Sequence, residues 1–515
     1  MSQKSKVIFG ECNERSNFVN NKQFYRHPFI AGTLFLTLAG LLSRLIGFFY
    51  RIFLSQTVGA EGIGIYQLIF PIYALAFSFT AAGIQTAISK FVAEATAGTD
   101  ASKDSTEAMK TNTFTQPHNS TKAGTFKQLH SSTKNNAFKQ VHNATKSNAF
   151  KQPNLYLART YLYAGLTLSL SLSFLCTFFL YHYADFIAVK FLGEPRCIPL
   201  LKILSITIPF GAIHACINGY YYGLQKTAVP ALSQLIEQIA RVGSIYLIYR
   251  ISAEQGKGVS VNMAVWGIVI GEFVSVLFCI NSVASTYSFK VRNRCKNQLH
   301  CIRRILTLSL PLSANRILLN LLQSSEAIMI PGKLREFGYS HSTALSVYGV
   351  LTGMALPMIL FPSAVTNSVS VMLLPAVSWA QAKGDRSYIQ NTVKKTFFYC
   401  TILGLSCTFF FLLAGKWIGI VVFANELAGT LIMILGWICP FLYLTTTLSS
   451  ILNGLGKTSI TFMMNMIGSM IRIFFVVFII PAFGIKAYLW GTLVSHLVMA
   501  LWALAVLYLI AFKKQ

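Results

Sequence analysis

Four arginines lie inside apolar segments that are long enough to cross a membrane. Arg44 and Arg316 are near the middle of their segments, and Arg241 and Arg472 lie within two others. An arginine near the centre of a bilayer costs roughly 2.5–3.5 kcal/mol on insertion scales, so it is rarely there without a function. Guanidinium groups donate paired hydrogen bonds to phosphate oxygens. The four arginines therefore predict a cationic cavity that binds an anionic substrate.

Acidic residues in segments of the same kind leave two interpretations open. Glu237 precedes Arg241 by one helical turn, a spacing at which side chains of opposite charge can pair. Glu272 and Glu326 also lie within apolar segments. Carboxylates at such depths can carry protons or sodium ions in transporters. The three glutamates are therefore candidates for coupling to H+ or Na+, and equally for holding the arginines in place.

Amide side chains complete the predicted site, whereas nothing in the sequence predicts catalysis. We expect four amides to contact sugars or to position the arginines: Gln85, Asn367, Asn218 and Asn453. The residues Leu-Gly-Lys-Thr at 455–458 resemble the end of a phosphate-binding loop, but Ile451 occupies the place of the first glycine. No other catalytic motif has a suitable context, so we predict no enzyme, no cofactor and no metal.

The elements that position these residues are membrane-spanning helices. The chain has 515 residues, of which 54% are hydrophobic and only 11% are charged, whereas soluble domains carry about 25% charged residues. A helix needs roughly 20 apolar residues to cross a bilayer. We count about twelve such runs along the sequence. The composition therefore predicts an all-α membrane protein that crosses the bilayer about twelve times.

The distribution of basic residues predicts the orientation of the chain. The formal net charge is +27. Lysines and arginines concentrate before the first span, between spans two and three, six and seven, and eight and nine, and after the last span. These segments share one side of the membrane if the spans alternate, which is the positive-inside pattern. We therefore expect both termini to be cytoplasmic in the cytoplasmic membrane, with the charge near lipid headgroups rather than nucleic acid.

An internal duplication relates the two halves of the chain. Arg44 and Arg316 are 272 residues apart, and Arg241 and Arg472 are 231 apart. Tyr66 and Tyr348, 282 apart, continue the register in between, so the first half contains about 51 extra residues. A polar, basic twelve-residue repeat occupies residues 113–148 and supplies this insertion. An even number of spans per half predicts two lobes related by a pseudo-two-fold axis along the membrane normal.

These features predict the following organisation. A cytoplasmic tail (1–28) precedes an N-lobe of six helices (29–289), which contains a disordered basic loop (98–153) with the tandem repeat. A cytoplasmic linker (290–302) leads to a C-lobe of six helices (303–511) and a short cytoplasmic tail (512–515).

Several motifs resemble a known family. The first is Ser-Arg-Leu-Ile-Gly-Phe at 43–48, followed by Gly-Ala-Glu-Gly-Ile-Gly at 59–64 and Ala-Gly-Ile-Gln-Thr-Ala at 82–87. Phe-Pro-Ser at 361–363 continues the pattern in the second half. These segments resemble polysaccharide flippases, including those of sporulation, in the multidrug/oligosaccharidyl-lipid/polysaccharide (MOP) exporter superfamily. The resemblance covers most of residues 29–511 outside the repeat insertion.

The resemblance implies a V-shaped pair of six-helix lobes. It also implies movement of an undecaprenyl-pyrophosphate-linked sugar, such as a peptidoglycan or polysaccharide precursor, from the inner to the outer leaflet. Arg44 matches a first-helix arginine that lies in the substrate cavity of lipid II flippases. Those flippases also carry an arginine shortly before Phe-Pro-Ser, where this chain has Leu-Pro-Met-Ile-Leu at 356–360.

The leading hypothesis is a flippase that moves a lipid-linked anionic glycan by alternating access, with membrane lipids and an H+ or Na+ coupling ion as its other partners. The first alternative is a cation-coupled multidrug antiporter, which would need a net acidic cavity. The second is a non-transporting membrane scaffold for cell-wall or spore-coat assembly that recruits partners through the repeat loop.

Overall fold

The computed structural model describes residues 28–96, 155–255, 260–286 and 295–511. Within these ranges every regular element is helical and no strand occurs, which confirms the all-α fold class. The whole predicted loop at 98–153, with its tandem repeat, lies outside the described residues, as do the tails up to residue 27 and from residue 512.

The first half of the chain, here called the N-lobe, forms helices α1 to α9. Helix α1 bends at Gly59, whose φ of 76° is a backbone conformation that glycine adopts readily. The helices are α1 (Pro28–Leu68), α2 (Phe70–Phe77), α3 (Gly83–Thr96), α4 (Leu155–His182), α5 (Ala184–Phe186), α6 (Cys197–Ser205), α7 (Thr207–Gly223), α8 (Ala228–Glu254) and α9 (Val261–Thr286).

The second half, here called the C-lobe, forms helices α10 to α19. Helix α10 begins at Cys295, inside the segment predicted as a linker. The helices are α10 (Cys295–Glu336), α11 (His341–Gly349), α12 (Leu356–Leu360), α13 (Ser363–Ala382), α14 (Arg386–Val421), α15 (Glu426–Gly436), α16 (Cys439–Gly454), α17 (Thr458–Phe474), α18 (Ile480–Phe483) and α19 (Ile485–Ala511).

Many of these helices can span a membrane. In the described ranges, nine are long and apolar enough, or up to eleven if each of two bent pairs counts as one span. One of the nine, 37–96, is 60 residues long. Because it bends at Gly59, it accommodates the first two predicted spans. The predicted number of about twelve is consistent with these segments.

Breaks in the spans coincide with prolines and π-helical turns. Proline lacks the backbone N–H that continues a helix, and Pro440 follows a 57° bend between α15 and α16. Pro311, in contrast, lies inside α10 without ending it. The described part of the chain has four π-helical segments, which are frequent at functional sites and which adjoin α-helices: Ser78–Ala82, Ile187–Phe191, Val350–Ala355 and Phe475–Ile479.

The two lobes meet where α1 crosses α11. A Cβ atom at Gly64 would lie 2.1 Å from the Leu345 carbonyl oxygen, and one at Gly349 would lie 2.1 Å from the Ala60 carbonyl oxygen. Glycine at both positions therefore lets the two backbones touch. We call this end of the helix bundle, which contains the Gly59 bend, the Gly59 end.

Helix α10 of the C-lobe also runs along α2 and α3 of the N-lobe. Ser324 donates a hydrogen bond of 3.0 Å to the Pro71 carbonyl oxygen, and the Asn320 amide donates to the Ser78 hydroxyl. One turn nearer the start of α10, Arg316 donates a hydrogen bond to the carbonyl oxygen of Ala82, the last residue of the π-helical segment that begins at Ser78. This polar seam places Arg316 between the lobes.

Candidate functional site

The four arginines fall into two classes in the structure. Arg241 and Arg472 are each paired with a carboxylate. Arg241 forms an ion pair with Glu237, one turn earlier in α8. The Arg472 Nε atom lies 2.9 Å and 3.0 Å from the two carboxylate oxygens of Glu326 in α10. These contacts neutralise both guanidinium charges within a lobe.

The Glu326 pair is part of a larger buried network. The side chains of Arg472 and Glu326 are 13% and 7% exposed. The Tyr488 hydroxyl donates a 3.0 Å hydrogen bond to the same carboxylate, and Arg472 Nη2 donates to the Ser469 hydroxyl at 3.1 Å. Glu326 is therefore satisfied by several donors, which favours a structural role for it over ion coupling.

Arg44 and Arg316 are exposed at the surface of the protein, and neither has an acidic partner among the residues that the structure describes. Arg316 donates only to neutral acceptors, the Ala82 carbonyl oxygen at 3.2 Å and the Thr86 hydroxyl at 3.3 Å. A guanidinium carries five N–H donors, so Arg316 keeps donors for an anion. These two positions, which the duplication relates to each other, retain net positive charge.

The predicted amides do not all gather around the arginines. Asn218 lies within the N-lobe, where its Oδ1 accepts a 3.4 Å hydrogen bond from Ser233 in α8. Gln85 is adjacent to Thr86, which contacts Arg316. Within the described ranges, the half-buried side chains of Gln85, Asn367 and Asn453 show no hydrogen bond.

The structure assembles a polar cluster that sequence reasoning found only in part. His214 in α7 places its Nδ1 atom 3.2 Å from Glu272 Oε2 in α9. Its Nε2 atom lies 3.1 Å from the Ser233 hydroxyl and 3.2 Å from the Ser275 hydroxyl. One polar atom each from His214, Glu237 and Glu272 lie within 4.8 Å of one another. A histidine inside an apolar span could have signalled this cluster.

The C-lobe holds a different arrangement at the related positions. His496 in α19 occupies the place of Glu272 in the repeat. Its Nδ1 atom is buried and has no hydrogen-bond partner in the described part of the chain. The duplicated lobes therefore differ in chemistry, because among the described residues only the N-lobe pairs a largely buried histidine with a carboxylate.

A charged latch joins the lobes at the Gly59 end. We define it as Glu61, Glu194 and Arg196 of the N-lobe with His341 and Ser342 of the C-lobe. Arg196 lies 2.7 Å from Glu61 and 2.8 Å from Glu194. His341 Nε2 lies 2.7 Å from Glu194, and the Ser342 hydroxyl donates a 2.6 Å hydrogen bond to Glu61. Two of these contacts, His341–Glu194 and Ser342–Glu61, connect the lobes, and Arg196 joins the two carboxylates within the N-lobe.

Glu194 stays ionised over the physiological pH range. Its side chain is only 2% exposed, and this burial raises the pKa of the carboxyl group. Hydrogen bonds from Arg196 and His341 outweigh burial and lower the pKa of Glu194 to about 2. The stability that the ionised carboxylate contributes is present above its ordinary pKa and is lost only as the pH falls towards 2.

Arg196→Ala is expected to open the Gly59 end, because Arg196 holds in place Glu61 and Glu194, the two carboxylates that contact the C-lobe. The measurement is the distance between spin labels at the exposed residues Val189 and Phe337. We expect the distribution to shift to longer distances. Arg335→Ala, an exposed arginine at the same end without a described ion pair, is the matched control. Equal distributions in both variants would show that the latch does not hold the lobes.

Comparisons with known proteins agree with this architecture. The family described as "Polysaccharide biosynthesis protein" matches residues 29–115 and 139–381, and the MatE family matches residues 336–478. Stage V sporulation protein B of Bacillus subtilis (strain 168) is 26% identical over 468 residues, which cover 89% of this chain and 80% of the relative. Lipid II flippase MurJ of the same organism is 23% identical over 256 residues, covering 47% of this chain and 37% of the relative.

A solved structure shows the same fold. It is described as the inward-facing conformation of a multidrug resistance MATE family transporter of the MOP superfamily. The TM-score is 0.59 at 14% sequence identity, and the alignment covers 92% of this chain and 96% of that one. The resemblance that the motifs indicated is thus confirmed. The chain belongs to the polysaccharide biosynthesis protein family, and it is a multi-pass membrane transporter of the MOP superfamily rather than an enzyme.

Proposed function

We propose that this protein flips a lipid-linked anionic glycan across the cytoplasmic membrane, with undecaprenyl-pyrophosphate as the carrier. The observation that carries the proposal is the difference between the arginines. Arg44 and Arg316 keep their charge available, whereas Arg241 and Arg472 are neutralised by carboxylates. We therefore assign anion binding to Arg44 and Arg316, and a structural role to the other two.

The pyrophosphate would bind to these two guanidinium groups. Removing an anionic headgroup from water is very unfavourable unless its charge is paired. Arginines supplied by both halves of the chain would provide that pairing, so the headgroup would cross without full exposure to hydrocarbon. The lipid tail would remain in the bilayer beside the lobes. Gln85, Asn367 and Asn453 are candidates to contact the sugars.

Alternating access would follow from separation of the lobes at one end and closure at the other. The His341–Glu194 and Ser342–Glu61 contacts of the charged latch, together with the Gly64–Gly349 contact, join the lobes at the Gly59 end in this structure. The positive-inside pattern favours cytoplasmic termini, and with that orientation the Gly59 end would be the outer one. Here the substrate would enter from the cytoplasmic side, and opening of the latch would release it outward.

The runner-up is a cation-coupled multidrug antiporter, supported by the fold of the solved MATE transporters. A cationic drug would require carboxylates that are free to bind it. Glu237 and Glu326 are instead paired with arginines. The scaffold hypothesis depends on the repeat loop, which lies outside the described residues.

The decisive experiment is reconstitution into proteoliposomes with fluorescent undecaprenyl-pyrophosphate-linked glycan. The readout is its accessibility to a membrane-impermeant quencher. The matched control substrate carries the same glycan on neutral undecaprenol. We expect the pyrophosphate form to flip and the neutral form to stay in its leaflet. Transport of organic cations without flipping of either lipid would favour the antiporter.

A further inference from the structure

Three phenylalanines from the two lobes meet beside α1. The ring centroid of Phe48 in α1 lies 5.5 Å from that of Phe361 and 6.4 Å from that of Phe423. Phe361 lies between α12 and α13, and Phe423 lies between α14 and α15, so the C-lobe supplies two of the three rings. Aromatic pairs with centroids about 4.5–7 Å apart stabilise a contact beyond the area that they bury. We call these three rings the aromatic seal.

The aromatic seal lies next to Arg44, on the side of the Gly59 end. Phe48 follows Arg44 by four residues, so the two side chains lie on one face of α1. At about 1.5 Å per residue, Phe48 is about 6 Å further along the helix. Gly59 follows eleven residues later, about 16 Å beyond Phe48. An anion that leaves Arg44 towards the Gly59 end would therefore meet the aromatic seal before the charged latch.

The turn between α14 and α15, residues 422–425, holds the buried ring of Phe423 in place. The Gln56 amide of α1 donates a 3.1 Å hydrogen bond to the Val422 carbonyl oxygen. At the other end of the turn, Asn425 Oδ1 accepts a 3.0 Å hydrogen bond from the Ala428 backbone N–H. The turn is thus attached to the N-lobe on one side and to the start of α15 on the other.

The backbone of this turn is strained. Ala424 has a φ of 50°, in the left-handed region that alanine rarely adopts. The flanking helices touch beside it, since a Cβ atom at Gly419 would lie 2.2 Å from the Gly429 backbone nitrogen. Strained residues persist only where their surroundings hold them, and they are concentrated at clamps and switch regions. The turn that carries Phe423 is therefore the candidate for the moving part of this contact.

The charged latch is poorly suited to exclude water from the path. The side chains of Arg196, His341 and Glu61 are 51%, 41% and 33% exposed. Polar groups that are this accessible stay hydrated, and small ions can pass beside them. Apolar constrictions, in contrast, block ions because water leaves them. The two layers therefore differ in what they can do: the latch can join the lobes, and the aromatic seal can keep the path dry.

We propose that the aromatic seal is the barrier to water and ions between Arg44 and the Gly59 end, and that the α14–α15 turn withdraws Phe423 when this end opens. A charged headgroup cannot cross a layer of apolar rings without a large desolvation cost, so the rings must separate before it passes. This inference rests on the proposed function and adds a step to it: substrate held at Arg44 leaves outward only after Phe423 has moved.

The test is an iodide leak into proteoliposomes that contain the full chain and a trapped halide-sensitive dye, without any lipid substrate. Wild type should admit iodide slowly. Phe48→Ala combined with Phe423→Ala should accelerate quenching of the dye at least several-fold, because water would then connect the cationic positions with the Gly59 end. The matched control is Phe49→Ala, since Phe49 is the next residue of α1, is 61% exposed and lies outside the seal. It should leak no faster than wild type.

A second paired variant separates the seal from a general disturbance of packing. Phe48→Leu combined with Phe423→Leu keeps apolar side chains at both positions, so it should stay nearly as tight as wild type. If the paired alanine variant does not fold, Phe48→Ala and Phe361→Ala, each at a half-buried position, should show intermediate leaks. Folding of every variant is checked by size-exclusion chromatography before reconstitution.

Quenching at the wild-type rate by folded alanine variants would overturn the proposal. Equal leaks in the paired leucine and paired alanine variants would also overturn it, because the barrier would then not depend on the seal being apolar and filled. The outcome is separable from that of the proposed function. A leak confined to the alanine variants, with no flipping of the pyrophosphate-linked glycan by wild type, would support the seal and reject the cargo.

Discussion

Glu326→Gln is expected to destabilise the folded protein strongly. The change leaves Arg472 inside the C-lobe without its carboxylate, at 13% exposure. Removing one partner of a buried ion pair typically costs about 3–5 kcal/mol, because the remaining charge is uncompensated. We expect a large fall in the thermal melting temperature of the purified protein in detergent. Fluorescence-detected size-exclusion chromatography after heating measures this temperature.

The same helix offers a matched control for this substitution. Glu336 in α10 pairs with Lys333, but its side chain is 54% exposed, and exposed ion pairs contribute about 0–1 kcal/mol. Glu336→Gln should therefore melt close to wild type. The double variant Glu326→Gln with Arg472→Gln should recover part of the loss, since it removes both charges. A wild-type melting temperature for Glu326→Gln would show that the network does not support the fold.

Arg44→Ala combined with Arg316→Ala is expected to abolish flipping of the pyrophosphate-linked glycan while leaving the fold intact. Hydrogen bonds to charged groups contribute about 1.5–3 kcal/mol each. Loss of one arginine should therefore lower the initial rate roughly 10- to 100-fold, given about 1.4 kcal/mol per factor of ten. Neither arginine has an acidic partner within the described residues, so their removal leaves no buried charge behind.

Two further variants separate charge from geometry at this position. Arg303→Ala removes another exposed arginine of α10, and we expect it to leave the flipping rate near that of wild type. Arg316→Lys keeps the charge but loses the paired donors of guanidinium, so we expect an intermediate rate. Unchanged flipping by the double alanine variant would remove the observation on which the proposed function rests.

Features that depend on local spacing or on composition could be predicted from the sequence. Glu237 and Arg241 pair because one helical turn separates them, and this spacing is visible in the sequence. Gly59 bends the helix that contains it, and Pro440 lies at the start of α16, so both effects are local to the backbone around these residues. Contacts between helices that are distant in the sequence could not be predicted in this way. Glu326 lies in the same helix as Arg316, yet it pairs with Arg472, 146 residues away.

The sequence by itself determined that the chain is a membrane-embedded helical protein with duplicated halves and arginines at related depths. Length, apolar composition and repeat register are properties of the linear order, and the bilayer converts them directly into spanning helices. Only the tertiary structure decided which arginines keep their charge and which histidine meets a carboxylate. Those outcomes depend on how each helix is rotated and packed against its neighbours, as in the contact between His214 and Glu272 across 58 residues. Spacing along one chain does not encode that rotation.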